Sequence, residues 1–308
     1  MAVSLFYCTF ALKFFVSKMK TMYKVAEHCF ALTIDDSAAV ASQLSQYEPF
    51  RISTDEAGNP VFELEVVPQN VFPADTDYVE ETSQDDDGSQ ISAGHISGQP
   101  YFKFMFRGIV AARLIVTEDY HHGTVTLDGD ELFGLNNSLM VMYALSTSDK
   151  LTALFHSSVI GYKNKGYMFL GKSGTGKSTH SRLWLKHIEG TELMNDDNPV
   201  VRFIDGQPWV FGSPWSGKTP CYKNIKAPLG AIVKLSQAPY NKIQPLRGVM
   251  AYAAVVPSIS GKRWDSKLAD GLHQTESQLA SEVRMYHLEC LPDEAAARLC
   301  VETVTKQD

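Results

Sequence analysis

Between residues 22 and 130 the chain alternates short β-branched or aromatic runs with turns rich in Gly, Pro, Asn and Asp. The runs are KVAEHCFALTI, VFELEVV, YFKFMFR, AARLIVTED and GTVTLDG, and runs this short between such breakers predict strands. DSAAVASQLSQY among them predicts a short helix or turn. Then NNSLMVMYALSTS, Asn136 to Ser148, couples an Asn cap to a long apolar stretch of good helix formers, which predicts a buried helix. Met140 and Met142 within it read as core packing.

From Thr152 the pattern changes to alternating strands and helices. ALFHSSVIGY and GYMFLG flank KNK and predict a hairpin whose second strand feeds a glycine-rich loop, followed by a helix to about Ile188. TELMNDDNP supplies a short apolar strand, and VVRFI-DG-QPWVF a second hairpin turning at Asp205 and Gly206. The run Leu229 to Leu235 predicts a strand, and two helices, a strand at VRMYHLEC and a helix from Asp293 close the chain. Three segments follow: an extension over 1–21, a smaller β-rich α+β domain over 22–135, and an α/β nucleotide-binding domain over 136–308.

Composition narrows the class. With 44% hydrophobic and 20% charged residues in 308, the chain is an ordinary globular protein. Its net charge of −7 argues against nucleic-acid binding. That charge is local: no Lys or Arg occurs from Ile52 to Phe102, a stretch holding Asp75, Asp77, Glu80, Glu81, Asp85, Asp86 and Asp87. Such a run predicts a solvated loop, or a docking surface for a basic partner. Five scattered cysteines without a C-x-x-C spacing suit free thiols and a cytoplasmic location. The N-terminal MAVSLFYCTFALKFFVSKMK resembles a signal-peptide core, but Lys13 interrupts it and no cleavage motif follows, so no membrane association is expected. An upstream start codon or a short packed extension fits it better, with Met19 or Met22 opening the working fold.

The chemistry concentrates after Leu170. Gly171, Lys172, Ser173, Gly174, Thr175, Gly176, Lys177 and Ser178 satisfy G-x-x-x-x-G-K-[ST] directly after an apolar run, with Thr179 in the first helical turn. Glycines let successive backbone N–H groups converge on an anion, and the helix N-terminus adds its partial positive charge. Lys177 is expected to reach the β and γ phosphates, and the Ser178 hydroxyl to ligate Mg²⁺. The bare pattern should occur by chance in roughly one chain in a hundred of this length; the strand before it and the helix after it make nucleotide binding the reading.

A phosphate loop needs a second metal ligand and a proton acceptor before it can transfer anything. Asp196 and Asp197 lie about twenty residues beyond Ser178, where such a carboxylate is expected. Neighbours on an extended segment point oppositely, so one aspartate can face Mg²⁺ and the other the acceptor. His156 is expected on the strand paired with the one that enters the loop, where pairing brings it beside the phosphates. Lys218 in SPWSGK is a candidate clamp on a transferring phosphate.

A histidine strand, a G-x-S-G-x-G-K-S loop and an Asp-Asp pair in this order resemble the catalytic domain of HPr kinase/phosphorylase and its relatives. The loop GKSGTGKST is also similar to that of ATP-dependent phosphoenolpyruvate carboxykinase, and the resemblance runs from about Leu151 to the C-terminus. It implies a P-loop catalytic domain of that type, with ATP on Lys177 and the loop amides and Mg²⁺ on Ser178 and Asp197. It further implies Asp196 as the base toward a serine hydroxyl, with His156 beside it. The acceptor would be a protein, a peptide or a small molecule, and the hexameric relative implies a homo-oligomer. Where the bacterial enzyme has Glu and Arg followed by Gly, this chain has Asn224 and Lys226, so a metal-binding carboxylate is missing. The leading expectation is therefore a Mg·ATP-dependent serine kinase. A nucleotide-binding regulator without turnover and a carboxykinase-like lyase are the alternatives.

Overall fold

The computed structural model describes residues 18–74, 77–86, 88–217, 219–263 and 265–306. Lys218 and most of the N-terminal extension lie outside them. The described chain is mixed α/β, built on two nine-stranded sheets.

The first sheet holds β1 (Lys18–Val25), β2 (His28–Asp35), β3 (Arg51–Ile52), β4 (Glu63–Val66), β5 (Tyr78–Asp86), β6 (Ser89–Ile96), β7 (Gln99–Phe106), β8 (Ile109–Val116) and β9 (His122–Leu127), in the order β3-β1-β2-β4-β9-β8-β7-β6-β5. β5 to β9 form an antiparallel meander, and β4 lies parallel to both β2 and β9. The acidic stretch expected as a loop is thus partly the edge strand β5. An edge tolerates charge because one side stays in water, and charge there also blocks pairing with another chain.

Helix α1 (Glu131–Thr147) lies over β7, β8 and β9. It starts five residues before the expected Asn136, because Asp130 caps it by accepting from the Phe133 N–H. Gly134 disguised that start: an interior glycine disfavours helix, yet here a Cβ would sit 2.4 Å from the Ala111 carbonyl oxygen.

The second sheet holds β10 (Thr152–Leu154), β11 (Ser157–Tyr162), β12 (Lys165–Leu170), β13 (Thr191–Asp197), β14 (Val200–Ile204), β15 (Gln207–Phe211), β16 (Lys226–Gln237), β17 (Lys242–Leu246) and β18 (Met285–Cys290). Its centre is parallel, β12 against β16 and β16 against β18. Parallel strands are buried on both faces, which explains the near-continuous apolar runs YMFL and AIVKL. One face is covered by α2 (Lys177–His187) and α5 (Glu294–Val304), through Trp184, Cys300 and Val304 packed on Phe169 and Val233. The other is covered by α3 (Val249–Val255) and α4 (Ser266–Glu282), through Val255, Leu272 and Leu279 packed on Met168 and Ile232.

The two sheets are joined by buried and half-buried polar contacts. Trp215 Nε1 donates to Tyr47 Oη at 3.0 Å, Arg202 donates to the Ala26 carbonyl at 2.7 Å, and His28 Nε2 lies 2.9 Å from Thr152 Oγ1. Asn224 and Lys226, the positions that depart from the kinase pattern, also serve this junction. Asn224 donates to the Pro49 carbonyl at 3.0 Å, and Lys226 pairs with Glu27 at 2.5 Å.

Candidate functional site

The loop from Gly171 to Gly176 leaves the C-terminal end of β12 and enters α2. Gly174 and Gly176 have φ of 77° and 107°, the left-handed region that side chains resist, so the turn that aims the loop amides needs glycine there. Within the loop, Thr175 donates to the Lys172 carbonyl from both its backbone N–H and its hydroxyl, at 3.1 and 2.6 Å. Lys172 and Ser173 are exposed, Ser178 and Thr179 are half-buried, and Lys177 is buried.

Lys177 folds back along the loop. Its Nζ donates to the Gly171 carbonyl and to His156 Nε2, both at 2.9 Å. His156 Nδ1 lies 3.1 Å from Asp197 Oδ1. An ammonium has no lone pair, so Nε2 is the acceptor and the ring proton sits on Nδ1, the nitrogen beside the carboxylate. The three expected residues Lys177, His156 and Asp197 form one polar chain.

Asp196 is turned elsewhere. It pairs in register with Ser158 of β11, so the two side chains share a sheet face. Ser158 Oγ lies 2.6 Å from Ser181 Oγ on α2, which identifies that face as the α2 side. Ser178 stands one helical turn before Ser181, on the same flank. Asp196 is 5% exposed and its Oδ1 has no hydrogen-bond partner among the described residues. A buried carboxylate oxygen left bare is costly, and a bound cation is one partner that offsets the cost. No group of three or more His, Cys, Asp or Glu able to hold a metal occurs among the described residues. Mg²⁺ does not require one, since it is usually held by one or two protein ligands with phosphate and water completing the shell.

Asn195 sets the aspartate pair and was not foreseen. It is fully buried; its Oδ1 accepts from the backbone N–H groups of Asp197 and Asn198, and its Nδ2 donates to Ser213 Oγ at 3.1 Å. Gly217 donates to the Asp196 carbonyl at 2.9 Å and Ser216 bridges to Asp197, tying the SPWSG segment to β13.

The loop separates two cavities. One, of about 710 Å³, is lined by Gly174, Thr175, Thr179, Leu183, Leu235 and Leu291. The other, of about 1130 Å³, runs from Gly171, Lys172, His156 and Asp197 to the outward side of α1 and to β6. Lys234, Lys262 and Arg263 also line it. Lys234 carried a signal, being a lone charge in an apolar strand; Arg263 carried none.

Against models of known protein families and against curated proteins, the chain finds no match.

Proposed function

We propose that the protein is a Mg·ATP-dependent kinase with a catalytic domain of the HPr kinase/phosphorylase and carboxykinase type, transferring the γ-phosphate to a serine-like hydroxyl. The observation that carries this reading is the Lys177–His156–Asp197 chain at the wall of the larger cavity, on one flank of a phosphate loop. A hydrolase loop needs only water; a separate cavity with its own carboxylate and histidine suits a second substrate. ATP binds with its phosphates on the loop amides of Gly171 to Gly176 and on Lys177, and its nucleoside in the smaller cavity.

The transfer forms a P–O bond to the acceptor oxygen and breaks the bond between the γ-phosphorus and the β,γ-bridging oxygen. ADP leaves, and the hydroxyl proton passes to a carboxylate. Asp197 suits that role, since it lines the acceptor cavity and its Oδ1 lies 3.1 Å from His156 Nδ1. Asp196 suits the metal with Ser178, reversing the division expected from the sequence. It is Asp196 that is buried, bare at Oδ1 and on the α2 side. Mg²⁺ supplies neutralisation of phosphate charge there, and most of the catalysis is positioning and electrostatic stabilisation.

The test is incubation with γ-labelled ATP and candidate acceptors: serine, serine peptides and cell extract. Label in an acceptor, lost in Lys177→Ala, is the expected outcome. ATP bound tightly with neither transfer nor hydrolysis would leave a regulator instead.

A further inference from the structure

The larger cavity has a basic corner that the phosphate loop does not need. Arg263 lies on the segment entering α4 and lines the cavity beside Lys262. Its Nη2 pairs with Glu276 Oε1 at 2.7 Å and donates to the Val256 carbonyl at 2.8 Å. Glu276 is fully buried in α4, and its Oε2 also accepts from Tyr252 Oη at 2.9 Å. A carboxylate buried to that degree requires its counter-charge, so the guanidinium is held in one place. The ion pair and the hydrogen bond both fall on Nη2, and among the described residues Nη1 and Nε of this 36% exposed side chain have no further hydrogen bond. Such an edge matches a carboxylate in two-point geometry.

The segment is also tied to the chemistry. His156 donates its backbone N–H to the Ser258 carbonyl at 2.7 Å, Ser260 donates to the Leu154 carbonyl at 2.9 Å, and Phe155 bridges to Ile259. The arginine and the site histidine thus ride on one hydrogen-bonded ladder. Helix α1 lines the same cavity with a mixed side, in which Asn136 and Asn137 stand among apolar residues. One side packs on the first sheet, while Phe133, Met140 and Val141 face the cavity together with Ile91 and Phe102. The apolar part of that wall suits an apolar body in the cavity.

We propose that the acceptor is a hydroxyl compound carrying a carboxylate on an apolar body. Arg263 pairs with the carboxylate, the α1 wall covers the body, and the hydroxyl reaches Asp197. This rests on the kinase reading above, and it narrows the acceptor class. The carboxylate belongs either to a free hydroxy acid or to an acidic side chain beside a serine in a peptide.

The experiment uses three probes on full-length protein: N-benzoyl-L-serine, N-benzoyl-L-serinamide, and the peptide acetyl-Phe-Ser-Asp-amide. Binding is measured calorimetrically with Mg·ADP present, and transfer with γ-labelled ATP. The acid is expected to bind ~10–100-fold more tightly than its amide, the range for a charge-assisted pair; tighter binding by the peptide than by the free acid assigns the carboxylate to a side chain. Because Arg263→Gln alone strands the Glu276 charge, the double variant R263Q/E276Q is the informative one. It should lose the preference for acid over amide while its ATP affinity stays within about twofold. Equal binding of acid and amide, no binding of either acidic probe, or a matching fall in ATP affinity would overturn the proposal. Preferred binding without transfer would sink the kinase reading and leave the anion clamp; transfer without preference would do the reverse.

Discussion

Lys177 donates to His156 Nε2 across 2.9 Å, and this single contact fixes which nitrogen of the ring carries the proton. With Nε2 accepting, the proton sits on Nδ1, which lies 3.1 Å from Asp197 Oδ1, while the second carboxylate oxygen accepts from Asn198 at 2.8 Å. Asp197→Asn keeps the shape and removes the proton acceptor. On the kinase reading, transfer falls by ~10²–10³-fold while ATP affinity changes little. His156→Gln costs about tenfold, since it loosens the carboxylate without removing it. Single-turnover transfer from labelled ATP measures both; an Asp197→Asn protein with the wild-type rate would rule the residue out as base.

Asp196 makes a different prediction because its Oδ1 is buried without a hydrogen-bond partner among the described residues. In metal-free buffer Asp196→Asn should raise stability by about 1–2 kcal/mol, as a neutral amide is cheaper to bury than an unpaired carboxylate. In the presence of Mg²⁺ and ADP the order should invert, since the variant loses the cation-linked stabilisation. Thermal melts with and without both ligands read this directly. A variant stabilised by Mg·ADP as strongly as the wild type would free Asp196 from the metal role.

What could be read beforehand and what could not divides along physical lines. The loop, its flanking strand and helix, and the Asp205–Gly206 hairpin were legible because each is specified by neighbours in sequence, and φ of 51° and 75° at that turn is what such a pair favours. Strand β5 was hidden because edge position lets Glu80 and Glu81 replace the apolar half of the alternation. β17 was hidden likewise, an edge strand interrupted by Pro245. The orientation of the aspartate pair depends on register with Ser157 and Ser158, and the setting of Arg263 on a buried glutamate thirteen residues later. Both are tertiary facts with no local signature. Lys218, expected as a clamp, lies outside the described residues.

The junction between the sheets should be acid-sensitive through His28. Burial, with the Arg202 and Lys150 charges behind it and Asp149 opposing, lowers its pKa from the ordinary 6.5 to about 3. The unfolded chain therefore takes up a proton near pH 6.5 that the folded chain refuses. The His28 contribution is fully present above that pH and is lost as pH falls toward 3. By pH 5 the loss is about 2 kcal/mol. His28→Gln keeps a donor for Thr152 and removes the titration, so urea midpoints at pH 7.5, 6 and 5 should fall less steeply for the variant. Parallel curves for the two proteins would exclude His28 as the source.

Gly134 tests how closely α1 is seated. In an exposed helix Gly→Ala is stabilising by about 1 kcal/mol. Here the added Cβ would lie 2.4 Å from the Ala111 carbonyl oxygen and 2.8 Å from Ala112 Cβ, on strand β8. Neither atom is the free end of a flexible side chain, so α1 must lift off the sheet, and Gly134→Ala should destabilise by about 1–3 kcal/mol despite its better propensity. Because Phe133, Met140 and Val141 form the cavity wall, the same lift should weaken binding of an apolar acceptor probe. On the kinase reading ATP binding should be spared, since the Gly171–Gly176 loop hangs from β12 in the other sheet. Denaturant midpoints with parallel ATP titrations separate the two effects, and a stabilised variant would mean that α1 and β8 are not in the contact described.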